Sequence, residues 1–395
     1  MQFAEASRMK RIIFTFIAFS ITIFSTYAQK IYSDSQVILD NQSNPDIAEI
    51  NSLWENYLQS SPDSLYNNPC WNNADKLKYK SYDLLRSEGY LSLYGLAEYG
   101  ELKNLVLSIK PIDSKYYDIH SMYYWGGFSE YPNVLCTTHV LAYKEDDGHF
   151  VLGNWLDYYS KDWKTVKRDN ITFHYQVYKR DKSKIEKTIK FVEFLNKEYD
   201  VTLDHLDIYI SKGWRETQKL KGFGYDFGET AISSTDDLGA TTDIDNKIIY
   251  SNTYMGEFYP HEMMRFLRLR YKNVHPLITD GLSEYYSDTQ VMRGKTFKEL
   301  FQNLDMFLSA HPEIDLNQFD SFDSGNVTEK NYLIGMVIIN LIESKCGHGG
   351  VIRALESIHT DEELIEFLDE NAGVKKEDIN RVLRSKISQY ANAGF

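Results

Sequence analysis

Two stretches decide how this chain is read: Pro260-His261-Glu262-Met263-Met264-Arg265 and, fifteen residues after Arg265, Asp280-Gly281-Leu282-Ser283-Glu284-Tyr285-Tyr286. An H-E-x-x-H helix sets two imidazoles four residues apart on one face, where both reach one metal ion, and places the glutamate beside the metal-bound water. Arg265 stands in the second of those positions. A guanidinium stays protonated and has no lone pair to offer a metal. The chain therefore carries a metal-site pattern with a cation built into it.

Outward from this core, both flanks have the pattern of a mixed helix and strand domain. Lys182 to Tyr199 puts Ile185, Ile189, Val192 and Leu195 on one helical face, with lysines and glutamates opposite. Leu206, Ile208 and Ile210 alternate as a strand, and a strand pair is expected across Gly239 to Asn252, turning at Asp245-Asn246-Lys247. Lys221-Gly222-Phe223-Gly224-Tyr225 reads as a glycine-interrupted turn, and with no Lys-Ser/Thr behind it, it makes a poor phosphate loop. Downstream, Tyr332 to Ser344 closed by Gly347, Val351 to Ile358, Asp361 to Glu370 and Lys376 to Tyr390 read as helices.

The first part of the chain differs in character. Asn44-Pro45-Asp46 starts a helix with Ile47, Ile50, Trp54, Tyr57 and Leu58 on one stripe. From about residue 90 the pattern turns to strands: Ile119 to Trp125, Leu135 to Tyr143 and Phe150 to Tyr159, with Asp147-Gly148 as a hairpin signal, then Thr165-Val166 and Ile171 to Tyr175. Helices followed by a curved antiparallel sheet predict a small α+β domain, similar in architecture to cystatin or nuclear-transport-factor-like cones. The expected organisation is residues 1–28 as a signal peptide, 29–168 as this α+β domain, and 169–395 as a mainly helical α+β domain with a small mixed sheet.

The signal peptide rests on Arg8, Lys10 and Arg11, the 13-residue apolar run Ile12 to Phe24, and small residues at Thr26 and Ala28. Cleavage near Ala28 leaves a chain exported to the periplasm or beyond; an uncleaved N-terminal anchor is the alternative. No later run reaches the roughly twenty apolar residues of a spanning helix. Cys70, Cys136 and Cys346 lie far apart without metal-ligand spacing, leaving room for one disulfide and at least one free thiol. The net charge is −14; the first 28 residues carry +2, from Arg8, Lys10 and Arg11 against Glu5, so the remainder is at −16. Such acidity argues against nucleic acid or an anionic membrane as partner. The 30 tyrosines, densest between Tyr57 and Tyr175, suit either core packing or a stacking surface for sugars or peptides.

The order of helix, strands, H-E helix, acidic helix and terminal helices over residues 170–390 resembles the gluzincin metallopeptidases, the thermolysin-like and aminopeptidase-like members of the peptidase MA superfamily. In that family the third zinc ligand is a glutamate in a W-L-x-E-G-x-A-x-Y setting, which Pro276 to Tyr285 resembles. The resemblance makes His261 a zinc ligand and Glu262 the general base acting on zinc-bound water, with Tyr332 the candidate for stabilising the oxyanion. Anchoring on Gly281 puts Asp280 at the third-ligand position; Glu284, with 18 residues between it and Arg265, fits the aminopeptidase spacing instead.

Two departures change what the resemblance implies. Arg265 removes one ligand, and Asp280 is shorter than the family glutamate, whereas catalytic zinc normally has three protein ligands. His275 or Glu284 would be needed to complete a set. The other expectation is that Arg265 replaces the zinc as counter-ion to Glu262 or Asp280, since unpaired buried carboxylates are costly. The expected function is then an exported pseudopeptidase without cofactor that binds a peptide or protein, with Ile248 to Asn252 as an edge strand for strand addition. The alternatives are an active zinc metallopeptidase with atypical ligands, and small-molecule or glycan binding by the N-terminal domain.

Overall fold

The computed structural model describes residues 30–60, 67–87, 103–125, 133–226, 239–287, 291–292, 295–318 and 330–394. The expected signal segment, residues 1–28, lies outside them. Two compact units emerge, Met1–Asp162 with Arg215–Asp236, and Trp163–Trp214 with Asp237–Phe395. Helices and sheets are mixed throughout, so the class is α+β. No described helix is long and apolar enough to cross a membrane.

The sheet of the first unit runs β1 (Lys30–Ser33), β2 (Lys103–Pro111), β3 (Tyr116–Trp125), β4 (Asn133–Lys144) and β5 (Phe150–Gly153) in spatial order. β1 is parallel to β2, and β2 to β5 form an antiparallel meander. Helices α1 (Ser35–Ser43), α2 (Pro45–Leu58) and α3 (Asn73–Lys78) accompany it. The Asn44 side chain accepts the Asp46 N–H at 3.0 Å, which caps α2 where the sequence predicts its start. α2 is held by a buried polar chain: Trp54 Nε1 donates to Asn104 Oδ1 at 3.2 Å, Asn104 Nδ2 to Ser121 Oγ at 3.2 Å, and Ser121 meets Thr138 at 3.1 Å. Part of the aromatic wealth is core, because Trp54, Tyr57, Trp71 and Tyr82 pack in succession as tilted ring pairs with centroids 5.7, 5.2 and 5.3 Å apart and are all buried.

The segment read as a glycine-interrupted turn is instead a strand, β9 (Phe223–Asp226), paired antiparallel with β4. Gly224 is what permits the pairing, since a Cβ there would lie 2.6 Å from Thr137 Oγ1. A local pattern of glycines cannot announce a partner strand some ninety residues away, so the sequence shows only the break.

The second unit has a five-stranded mixed sheet in the order β10 (Thr241–Asp243), β11 (Ile248–Asn252), β8 (Leu206–Ser211), β7 (Ile171–Tyr175) and β6 (Lys164–Arg168). β11, β8 and β7 are parallel, and the outer strands are antiparallel to their neighbours. The boundary expected after residue 168 falls inside the β6–β7 hairpin, which five register pairs from Lys164↔Tyr175 to Arg168↔Ile171 hold within this unit. α4 (Lys182–Tyr199) connects β7 to β8. Asp181 caps it by accepting the Ser183 and Lys184 N–H groups, and Ile185, Thr188, Val192, Leu195 and Tyr199 form its buried stripe. β11 is not an edge: it pairs on both sides and all five residues are buried. Among the described residues the edge beside it is β10, because the first arm of the predicted hairpin folds to the outside.

After β11 this unit continues with helices α5 (Pro260–Met264), α6 (Pro276–Tyr285), α7 (Phe297–Ala310), α8 (Lys330–Ser357), α9 (Asp361–Ala372) and α10 (Ile379–Ala393). α8 kinks at Gly347, whose φ of 63° leaves the helical region at the predicted stop. Gly281, expected to anchor the start of a helix, lies inside α6 and packs on Gly335 of α8. A Cβ on Gly281 would fall 2.5 Å from the Gly335 carbonyl oxygen, and one on Gly335 would fall 2.7 Å from Gly281 Cα. The two backbones touch, with Leu277, Ile278 and Leu282 of α6 and Leu333, Ile334 and Val337 of α8 buried in one apolar core.

This contact yields a stability prediction. Gly335→Ala should destabilise the second unit by about 2–3 kcal/mol, the upper part of the overpacking range, because backbone atoms cannot rotate away. Gly349→Ala, where the nearest atom is a flexible Arg353 nitrogen at 3.8 Å, should be neutral or stabilising by up to about 1 kcal/mol. Urea midpoints of the two variants against the parent chain check both signs.

Candidate functional site

α5 follows β11 through residues 253–259, and Pro260 occupies its first turn, where a fixed φ suits the helix and the missing N–H has no helical partner to lose. At Arg265 the backbone tightens into a 3-10 turn, Arg265–Leu269. Residues three and four apart are neighbours on a helical surface. Arg265, three residues after Glu262, pairs with it, Nη1 standing 3.7 Å from Oε2. Its side chain is 38% exposed, so this is a loose, partly solvated pair.

His261, Glu262 and Glu284 are enclosed, at 7%, 3% and 4% exposure. His261 Nδ1 lies 2.8 Å from Glu284 Oε1, and its Nε2 is 3.7 Å from Glu262 Oε1. The contact is a close, buried pairing of imidazole with carboxylate. Glu262 is further held by β10: the Thr242 hydroxyl is 2.6 Å from Oε2 and 3.0 Å from the Glu262 carbonyl oxygen. The edge strand and the His-Glu helix are thus fastened to each other at the carboxylate.

Electrostatics follow from this enclosure. Burial alone would depress the His261 pKa, but the contact with Glu284 and the charges of Glu262 and Glu284 outweigh it, and the value rises above the ordinary 6.5. Asp280, one turn before Glu284 on α6, is pushed up by burial against the lowering effects of Arg268, Arg265 and His261 in that order. The Tyr332 ring lies 5.6 Å from His261, and burial followed by the Asp280 charge pushes its hydroxyl up to about 12, so it stays protonated at neutral pH. Tyr259 covers another side of the imidazole at 5.7 Å, and burial followed by the nearby glutamates raises its hydroxyl further.

The structure therefore gathers His261, Glu262, Arg265, Glu284 and Tyr332 in one region, with Asp280 in the field of the same charges. It is Glu284, matching the aminopeptidase spacing, that reaches His261. His275 is engaged elsewhere: Nδ1 accepts the Leu277 N–H at 3.2 Å, capping α6, and Nε2 lies 2.7 Å from Asp361 Oδ1. The sequence reading missed Thr242, Tyr259 and Arg268. Thr242 had a visible signal, as a polar residue in the strand pair before the His-Glu helix; Arg268 had one as a second basic residue one turn after Arg265.

A zinc centre of the family type needs three protein ligands here. His261 and Glu284 are donors of the right kind and adjacent, but Arg265 offers none, His275 has both nitrogens occupied, and Asp280 does not join His261 and Glu284 in a group whose ligand atoms lie within 4.8 Å of one another. The donor set does not fit. Among the described residues, the group that brings three ligand-type atoms within 4.8 Å of one another is Glu145, Asp147 and His149, on the exposed turn between β4 and β5. Compared with known proteins, the chain matches no family model and no curated sequence.

The charge arrangement is testable through His261. A raised folded-state value means that the imidazolium supports the fold fully below the ordinary 6.5 and that this support is lost as pH rises through the folded value. Proton NMR titration, with the His261 signal assigned by its loss in His261→Asn, should give a midpoint above 6.5 that falls in Glu284→Gln. A midpoint at or below 6.5 that ignores Glu284→Gln would contradict the pairing.

Proposed function

We propose that the second unit is a gluzincin-like pseudopeptidase domain of an exported protein, in which two side-chain cations occupy the electrostatic role of the zinc. The observation that carries this reading is the pair of contacts His261–Glu284 at 2.8 Å and Arg265–Glu262 at 3.7 Å. A divalent zinc between two glutamates is neutral overall; a protonated His261 and Arg265 supply the same two positive charges. With that balance met, no hydroxide-forming metal is required for the glutamates to be buried, and Glu262 has no activated water to act on. On this reading the cleft serves recognition instead of hydrolysis.

What the domain recognises, on this reading, is a peptide or protein ligand. β10 pairs with β11, and Thr242 ties it to Glu262. Acidic overall charge favours peptides without excess negative charge.

A second reading has one observation in its favour. His261 Nδ1 and Glu284 Oε1, both ligand-type atoms, lie side by side in one buried region. Metal analysis with a peptide-cleavage assay separates the two. The pseudopeptidase reading expects zinc far below one ion per chain, and no cleavage of a generic fluorogenic peptide library that Glu262→Gln removes. One zinc per chain, together with cleavage abolished by Glu262→Gln, would establish the metallopeptidase instead.

A further inference from the structure

The sheet of the first unit carries a histidine pair that the His261 cluster does not involve. His120 on β3 and His139 on β4 are partners in register, and their rings stack in parallel, with centroids 4.4 Å apart and planes 1° from each other. His139 Nδ1 lies 3.0 and 2.9 Å from the two carboxylate oxygens of Asp118, which sits on the same face of β3, two residues before His120. Both imidazoles are half-buried. The chain entering β9 closes on the pair: the His139 N–H donates to the Gly222 carbonyl oxygen at 2.7 Å, and a Cβ on Gly224 would lie 3.3 Å from His139 Nε2. The Trp155 ring packs on His139 at 5.2 Å.

Charge decides what this stack tolerates. Two protonated imidazoles at that separation repel, and partial burial strengthens the repulsion by removing screening water. Among the described residues the carboxylate that acts on His120 is Asp118, whose oxygens already face His139. Lys110 on β2, opposite Asp118 in register, adds a positive charge, while Ser108 opposite His120 adds none, and neither do Trp155 and Gly224 beside His139. Burial first and His139 second push the His120 pKa below the ordinary 6.5; Asp118 opposes them and Lys110 reinforces them. We propose that the His120–His139 stack is an acid-sensitive latch: with no more than one ring charged it holds β3, β4 and β9 together, and a second proton drives the rings apart and loosens β4 from β9. The sign follows from linkage. With a depressed folded value, the support from the neutral His120 is complete above 6.5 and is lost as pH falls through 6.5 towards the folded value. The latch does not depend on how the His261 cluster acts.

Amide hydrogen exchange on the full chain tests it, compared at about pH 7.5 and about pH 5 after correction for the intrinsic pH dependence of exchange. In the parent, protection of the His139 amide and of Phe223 to Tyr225 should fall by about threefold or more at the lower pH. His120→Gln, in which the second charge cannot form, should abolish most of that fall, with circular dichroism at the higher pH confirming that the variant folds. Proton NMR of the parent, with the ring signals assigned through the backbone, supplies a readout that needs no variant. The His120 titration midpoint should lie below 6.5, and in His139→Gln it should rise towards 6.5. An equal loss of protection in the parent and in His120→Gln, no loss in the parent, or a His120 midpoint at or above 6.5 would overturn the assignment.

Discussion

Enclosing Glu262 and Glu284 within contact distance of one imidazole imposes a charge requirement on everything around them. Two carboxylates removed from water need two compensating positive charges, or they lose the charge themselves by taking up protons. His261 supplies one, with its pKa raised by the glutamates against the opposing effect of burial. Arg265 supplies the other from three residues further along the chain, its Nη1 3.7 Å from Glu262 Oε2. Asp280 lies in the field of Arg268 and Arg265, but burial outweighs them and its pKa is raised.

The fold is arranged to make that enclosure possible. Gly281 and Gly335 let α6 and α8 approach until their backbones touch. That contact fixes α6, which carries Asp280 and Glu284, while Tyr332 rides on the first turn of α8. From the sheet side, Thr242 on β10 fastens Glu262 by a 2.6 Å hydrogen bond. A side chain at either glycine would separate the helices and move the acid partner away from His261, so the packing and the electrostatics stand together.

How much of this was legible in the sequence depended on how local each feature is. The α4 stripe, the Asn44 cap, the hairpin at Gly148 and the kink at Gly347 all follow from short-range periodicity or backbone preference, and each lies where the pattern puts it. Pairing between distant segments was not legible. β9 reads as a turn because its partner β4 is far upstream, and β11 reads as an edge because nothing in Ile248 to Asn252 reports that β10 covers one side and β8 the other. Within the site, the spacing of Arg265 to Glu284 was visible, but the choice between Asp280 and Glu284 turns on helix azimuth, which Gly281 alone could not reveal because its role is contact rather than turning.

If resident cations hold the place of a metal, replacing Arg265 should reopen that place. The most direct measurement is a zinc titration by calorimetry of the parent chain and of Arg265→His, which restores two histidines in the His-Glu helix and removes the permanent charge. The account predicts no stoichiometric zinc binding to the parent and a gain of about tenfold or more in zinc affinity for Arg265→His. One-to-one zinc binding by the parent, equal to or tighter than that of the variant, would contradict it.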